Sequence, residues 1–242
     1  MKVKILLVGD SAISVQLGED ISLDVNQLVR RLYAELEKEP ITGIVEMVPT
    51  YASLFIQYQP EVIGFEQLNK ELNKRVEHMG QIELGKQIVK EIPICYEGEL
   101  APDLNLCAEL ENVSTEELIK MHSSHEYYCY MLGFAPGHAY MARFFEAFHF
   151  KRREKPRVKI AERSIVAQEN LSNLIPFEQP CGWNIIGSTP LTICDYNRES
   201  PFLVHSGEWV KYVRVNRREY DSIRKDDLRG IYRVRTYEKV VS

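Results

Sequence analysis

The sequence of 242 residues has no apolar run approaching the roughly 18–20 residues that cross a bilayer. The short apolar run after Met1-Lys-Val-Lys is too brief for a signal peptide and lacks a cleavage pattern. Cysteine is sparse: Cys95, Cys107, Cys129, Cys181 and Cys194 are odd in number, and no pair has Cys-x-x-Cys spacing. That excludes a disulfide framework or a zinc ribbon and predicts a reducing, cytoplasmic setting. Gly-x-x-x-x-Gly-Lys-Ser/Thr and Gly-x-Gly-x-x-Gly are both absent, so the chain carries no nucleotide fingerprint of its own. No Gly-x-Ser-x-Gly elbow and no His-Glu-x-x-His occur either. Nor is there an excess of basic charge: the net charge of -5 points away from a nucleic-acid binder.

What is present is ordinary globular composition, with 45% hydrophobic and 27% charged residues, enough to build a core. The first eighty residues alternate strand and helix patterns. Val3 to Val8 and Ala12 to Leu17 read as strands separated by Gly9-Asp10. Ser22 suits the cap of a helix from Leu23 to Glu39, with Val25, Leu28, Val29, Leu32 and Leu36 at spacings of three and four. Ile44 to Pro49 and Ser53 to Gln59 read as strands, and Phe65 to Val76 as a second amphipathic helix. Such a layer suggests an α+β domain of ferredoxin-like type over residues 1–84. Gly80 and Gly85 flank a weakly patterned boundary.

Residues 85–242 read differently. Gln87 to Tyr96 has strand character, and Ser114-Thr-Glu-Glu117 is a capping box opening a short helix. Short strands then follow at Tyr127 to Leu132, Lys159 to Val166, Trp183 to Gly187, Leu191 to Asp195 and Trp209 to Val215. Glycine and proline separate them, which indicates a β-barrel or sandwich. Lys151-Arg-Arg-Glu-Lys-Pro-Arg157 is a basic cluster, either a solvated face or a patch for an anionic ligand or acidic partner. The arginine-rich last thirty residues read as a charged tail.

Few residues suggest chemistry from type and spacing. His122 and His125 have a His-x-x-His spacing that with His138 would give three nitrogen ligands. His122 equally suits a helix end or a hydrogen-bonding pocket group. Cys181-Gly182-Trp183 raises a cysteine nucleophile, which needs a base and an electropositive setting, or merely a turn cysteine. Gly182 to Gly187 has the spacing of a phosphate loop but lacks its lysine. Gly133-Phe-Ala-Pro-Gly-His-Ala-Tyr140 carries the most information. Two glycines permit close backbone approach, Pro136 stiffens the loop, and Phe134 and Tyr140 offer flat walls for a small ring-shaped ligand. A tight barrel corner explains the same residues.

That loop also carries a resemblance. His122-Ser123-Ser124, Glu126-Tyr127, Tyr130-Met-Leu-Gly-Phe-Ala-Pro-Gly137 and Tyr140 resemble the signature of the 5-oxoprolinase B-subunit family, which includes allophanate-hydrolase-subunit-1-like proteins and a sporulation histidine-kinase inhibitor. Gly9-Asp-Ser-Ala12, Val48-Pro-Thr-Tyr-Ala-Ser-Leu54, Glu91-Ile-Pro-Ile-Cys-Tyr96, Pro102-Asp-Leu104, Pro156-Arg157, Pro180-Cys-Gly-Trp183, Ile186-Gly187 and Thr189-Pro-Leu191 are similar to its pattern. The departures are specific. Residues 161–169 lack the usual glycines, Leu171-Ser172 stands for Gln-Thr, Gln179-Pro-Cys for Ser-Pro-Gly, and His138 for an aromatic.

The resemblance implies a cyclophilin-like β-barrel after the first domain. It also implies a B subunit that works with an A subunit and a C subunit of related barrel fold. Together these would use ATP to open the lactam of 5-oxoproline to glutamate, making the chain an enzyme component that is not autonomous. It implies His122, Tyr140, Arg157 and Ser164 as polar pocket groups, with Phe134 and Trp183 as walls and Gly137 in the loop. Arg157 would bind a substrate carboxylate. A regulator docking on a histidine kinase and an allophanate hydrolase component are the alternative roles the family offers.

Overall fold

In the computed structural model, which describes residues 3–79, 84–142 and 147–239, the chain divides into two units, Met1–Lys86 and Gln87–Ser242. Gly80, one of the boundary glycines, lies outside the described residues. The first unit is built from β1 (Lys4–Val8), β2 (Ala12–Gln16), α1 (Leu23–Lys38), β3 (Ile44–Pro49), β4 (Ser53–Tyr58) and α2 (Phe65–His78). Its sheet is antiparallel throughout, in the order β1-β2-β4-β3. Alternation places Ile13 and Val15 opposite Ile56 and Leu54, all fully buried on one face. Helix α1 covers that core with Val29, Leu32 and Leu36, each such side chain contributing about 1.5–3 kcal/mol on burial. Ser22 Oγ accepts from Val25 N–H at 3.2 Å and fixes the helix start.

The ferredoxin-like expectation does not hold in topology. That motif needs a helical crossover after the first strand. Here residues 9–11 turn β1 straight back into β2, giving the element order ββαββα.

The second unit contains β5 (Ile88–Ile94), α3 (Leu104–Glu111), α4 (Thr115–Ser123), β6 (Glu126–Leu132), β7 (Ala139–Ala142), β8 (Arg157–Ile160), β9 (Ser164–Gln168), β10 (Leu171–Leu174), β11 (Gln179–Cys181), β12 (Asn184–Ser188), β13 (Trp209–Arg214), α5 (Arg217–Leu228) and β14 (Arg235–Glu238). Eight strands join in the order β12-β9-β10-β7-β6-β13-β5-β14, and β8 pairs with β11 separately. Only β5 and β13 run parallel among these ladders.

The expected closed barrel is corrected to an open, mixed sheet. Strand β14 occupies one edge of β5, from Ile88 to Glu91, where a closing strand would have to pair. Past the end of β5, Cys95 meets β12. Cys95 and Ser188 exchange backbone hydrogen bonds at 2.9 and 3.0 Å, one bridge in place of a ladder.

Three local expectations also change. The run from Lys159 to Val166 is two strands, because the chain turns at residues 161–163 with Arg163 at φ +67°. Leu191 to Asp195 forms no ladder and makes a single bridge, Cys194 to Phe202. The charged tail contains α5, opened by a capping box between Asn216 and Glu219. The capping box at Ser114 and Glu117 forms as its spacing predicts. Among the described residues no helix is long and apolar enough to cross a membrane.

Candidate functional site

A cleft of about 150 Å³ opens on the second unit. It is lined by Phe134 from the loop before β7, Tyr140 on β7, Val166 on β9, Asn173 on β10 and the segment from Gln179 to Trp183, with Arg152 beside them. A small apolar cluster of Ile160, Val166, Ile175 and Ile185 underlies Cys181 and Trp183. The loop is fastened by its own backbone: Ala135 N–H donates to Gly133 at 2.8 Å and Gly133 N–H to His138 at 3.1 Å. Phe134 adopts φ +66°, unusual for an aromatic residue, and is 72% exposed. Gly137, at φ +78°, turns the chain back; a Cβ there would stand 3.1 Å from Cys194 Cβ and 3.2 Å from Phe202 Cδ1. It shapes the loop and is not among the lining residues.

His138 organises the polar wall. It is buried, stacks on Tyr140 at 4.9 Å and meets the edge of Phe134 at 5.7 Å. One amide atom of Asn173 faces the carbonyls of Ser172 and Ala139 at 2.9 and 3.2 Å, so that atom is the nitrogen. The approach of Met141 N–H to the same atom, at 3.4 Å, is too long to outweigh two carbonyls. The amide oxygen of Asn173 therefore accepts from His138 Nε2–H at 3.0 Å. His138 Nδ1 is left as a lone pair and accepts from Gln179 Nε2 at 3.0 Å. Burial pushes the imidazole from 6.5 down to about 4, opposed by the contact with Gln179, so it is neutral near pH 7.

Arg152 is exposed and lies across Gly182, where an added Cβ would come within 2.5 Å of its Nε. Only glycine at 182 lets the arginine stem lie so close. Pro180 sits between Gln179 and Cys181, where the β8–β11 register shifts. A bulge of this kind re-aims the side chains beside it. Cys181 accepts from Trp183 N–H at 3.3 Å, and burial pushes its thiol upward, with that contact and two arginines opposing. His138 is the one imidazole lining the cleft among the described residues, and both its nitrogens are engaged. Cys181 thus has no base to make it a thiolate. The cleft thus sets aromatic faces, an exposed guanidinium and the Gln179 amide side by side.

Of the residues singled out from sequence, the cleft brings together Phe134, Tyr140 and Trp183. The others lie elsewhere. His122 is fully buried, with Nδ1 at 2.8 Å from Tyr96 Oη and Nε2 at 3.2 Å from Ser172 Oγ, and it stacks on Tyr212 at 4.6 Å. Ser164 Oγ donates to the Ala161 carbonyl at 2.8 Å and ties the turn before β9. Arg157 grips the carboxylate of buried Asp103. His122 and His138 spend their ring nitrogens on separate networks, so no shared metal set forms from them.

Residues 3–204 match the family described as carboxyltransferase domain, subdomain C and D. The chain is 33% identical over 229 residues to the B subunit of 5-oxoprolinase from Bacillus subtilis (strain 168), covering 90% of this chain and 95% of that protein. The chain belongs to the family of 5-oxoprolinase B subunits. Among solved structures, TTHA0988 superposes with a TM-score of 0.74 at 27% identity, over 84% of this chain and 40% of that one. The urea carboxylase of Kluyveromyces lactis superposes with a TM-score of 0.78 at 19% identity, over 98% of this chain and 24% of that one, a likeness of fold.

In this member of the 5-oxoprolinase B-subunit family, His138 and Gln179, two of the positions where the resemblance implied other residues, are bonded to each other. No local spacing joins them, because they are 41 residues apart. Arg152 falls within the basic cluster singled out from sequence, but nothing local marks it among that cluster's cations, and Asp103 gives no sign of its partners. An aspartate before a helix reads as a cap, yet the Asp103 side chain makes no capping bond and turns instead to the arginines.

Proposed function

We propose that the chain is the B subunit of an ATP-dependent 5-oxoprolinase, converting 5-oxo-L-proline, ATP and water to L-glutamate, ADP and phosphate together with A and C subunits. Full-length similarity to a B subunit of 5-oxoprolinase carries this reading. The cleft supports it. Tyr140 and Trp183 supply flat walls for a five-membered ring, and Arg152 supplies a cation for its carboxylate.

The cleft does not fit a nucleotide. It has one guanidinium and no glycine-rich phosphate cradle among the described residues, so ATP is assigned to another subunit. An amide is a poor electrophile, and phosphorylation of its oxygen makes it a better target for water. In this reading the chain holds and orients the ring, and the assembly supplies the phosphoryl donor.

The test is reconstitution. The chain is co-purified with candidate A and C subunits, and ATP-dependent release of glutamate from 5-oxoproline is followed. Activity should require all three. Undiminished activity when this chain is omitted would overturn the reading.

A further inference from the structure

The hydrogen-bond chain through His138 has a consequence for what the cleft accepts. The carbonyls of Ser172 and Ala139 fix the Asn173 amide; that amide fixes the proton on Nε2; and the Nδ1 lone pair fixes Gln179 with its nitrogen toward the ring. Gln179 Oε1 is what remains. It is buried, and it has no hydrogen-bond partner, in a side chain that lines the cleft and is 9% exposed. A buried acceptor left unmade is costly, and a ligand that donates to it recovers that cost. Arg152 lines the same cleft, is exposed, and lies against Gly182 through its Cγ, Nε and Cζ.

We propose that Gln179 is the specificity-determining acceptor for the ring N–H of a lactam, and that Arg152 takes the ligand's carboxylate. The assignment rests on the lactam reading above and goes further: it says which atom tells a lactam from other small rings. An acceptor faces an N–H favourably and repels the ring oxygen of a lactone of the same shape. His138 and Asn173 act as positioning residues, because they keep the glutamine from turning its nitrogen to the ligand.

Isothermal titration calorimetry on the full chain tests this with three probes: 5-oxo-L-proline, the lactone with oxygen in place of its N–H, and 2-pyrrolidone, which keeps the N–H and lacks the carboxylate. The wild type should bind 5-oxoproline about tenfold or more tighter than either analogue. Arg152→Ala, a change at an exposed side chain, should abolish the advantage over 2-pyrrolidone and keep the N–H preference between the two carboxylated rings. Equal binding of lactam and lactone by the wild type overturns the Gln179 assignment and leaves the lactam reading standing. Binding of none of the three overturns both. An unchanged advantage over 2-pyrrolidone in Arg152→Ala overturns the arginine assignment alone.

Discussion

Arg157 holds Asp103 with both terminal nitrogens, at 2.8 Å to Oδ2 and 2.7 Å to Oδ1. The arginine that the sequence offers for a substrate carboxylate is already committed to an internal one. Arg153 adds a third contact at 3.1 Å, and Ile185 N–H donates to Asp103 Oδ2 at 2.8 Å. The carboxylate therefore ties the start of α3 to β12 and to the basic segment.

Removing that carboxylate should be expensive. Asp103→Ala strands two guanidinium groups and a buried amide, and is expected to lower the unfolding free energy by about 3–5 kcal/mol. Arg157→Ala should cost less, about 1–3 kcal/mol, because Arg153 still reaches Asp103. Urea denaturation measures both. If Arg157→Ala instead leaves the midpoint unmoved and weakens 5-oxoproline binding, the arginine faces ligand and its structural role is wrong.

Gly137 should tolerate no Cβ. Its φ of +78° disfavours alanine, and the added atom would crowd Cys194 and Phe202. Gly137→Ala is expected to cost about 1–3 kcal/mol, and Gly137→Asn less on the backbone count, since asparagine enters this region more readily. Thermal unfolding of the two variants would show the order; an alanine variant as stable as wild type would refute the strain.

The sequence was legible where the cause is local. Periodicity located α1 and α2 almost to the residue, and the spacing of Ser114 and Glu117 located α4. That Phe134 and Tyr140 share one cleft was legible because both sit within eight residues of chain. What was hidden depends on pairing across the chain. Nothing local says that β14 takes the edge of β5 and keeps the sheet from closing by a ladder. Nor does any spacing reveal that Arg157 meets Asp103, 54 residues away, or that His138 meets Gln179. Site residues that contact ligand through such partners cannot be picked by residue type.

His122 illustrates the point and gives a test. Its ring is buried among Tyr96, Tyr127 and Tyr212, outside the cleft. His122→Phe keeps a ring to stack on Tyr212 but removes the partner of the Tyr96 hydroxyl. A loss of about 1–3 kcal/mol is expected for the unpaired buried group, with 5-oxoproline affinity unchanged. A variant of full stability with weakened binding would return His122 to the pocket.

The protonation of His138 can be followed directly. Burial lowers its pKa from 6.5 to about 4, so below pH 6.5 the unfolded chain takes up a proton that the folded chain refuses. Stability from this group is therefore level above about pH 6.5, falls as pH drops toward 4, and levels again below that. The shift corresponds to about 3 kcal/mol between the two plateaus. Nitrogen-15 NMR of the imidazole should show a neutral ring, protonated at Nε2, persisting to near pH 4. A midpoint near 6.5 would mean the ring is solvated and free of the amides. A proton on Nδ1 would turn Gln179 around and present its nitrogen to the cleft, reversing the preference for a donor. The tautomer thus reads out the polarity of the site before any ligand is added.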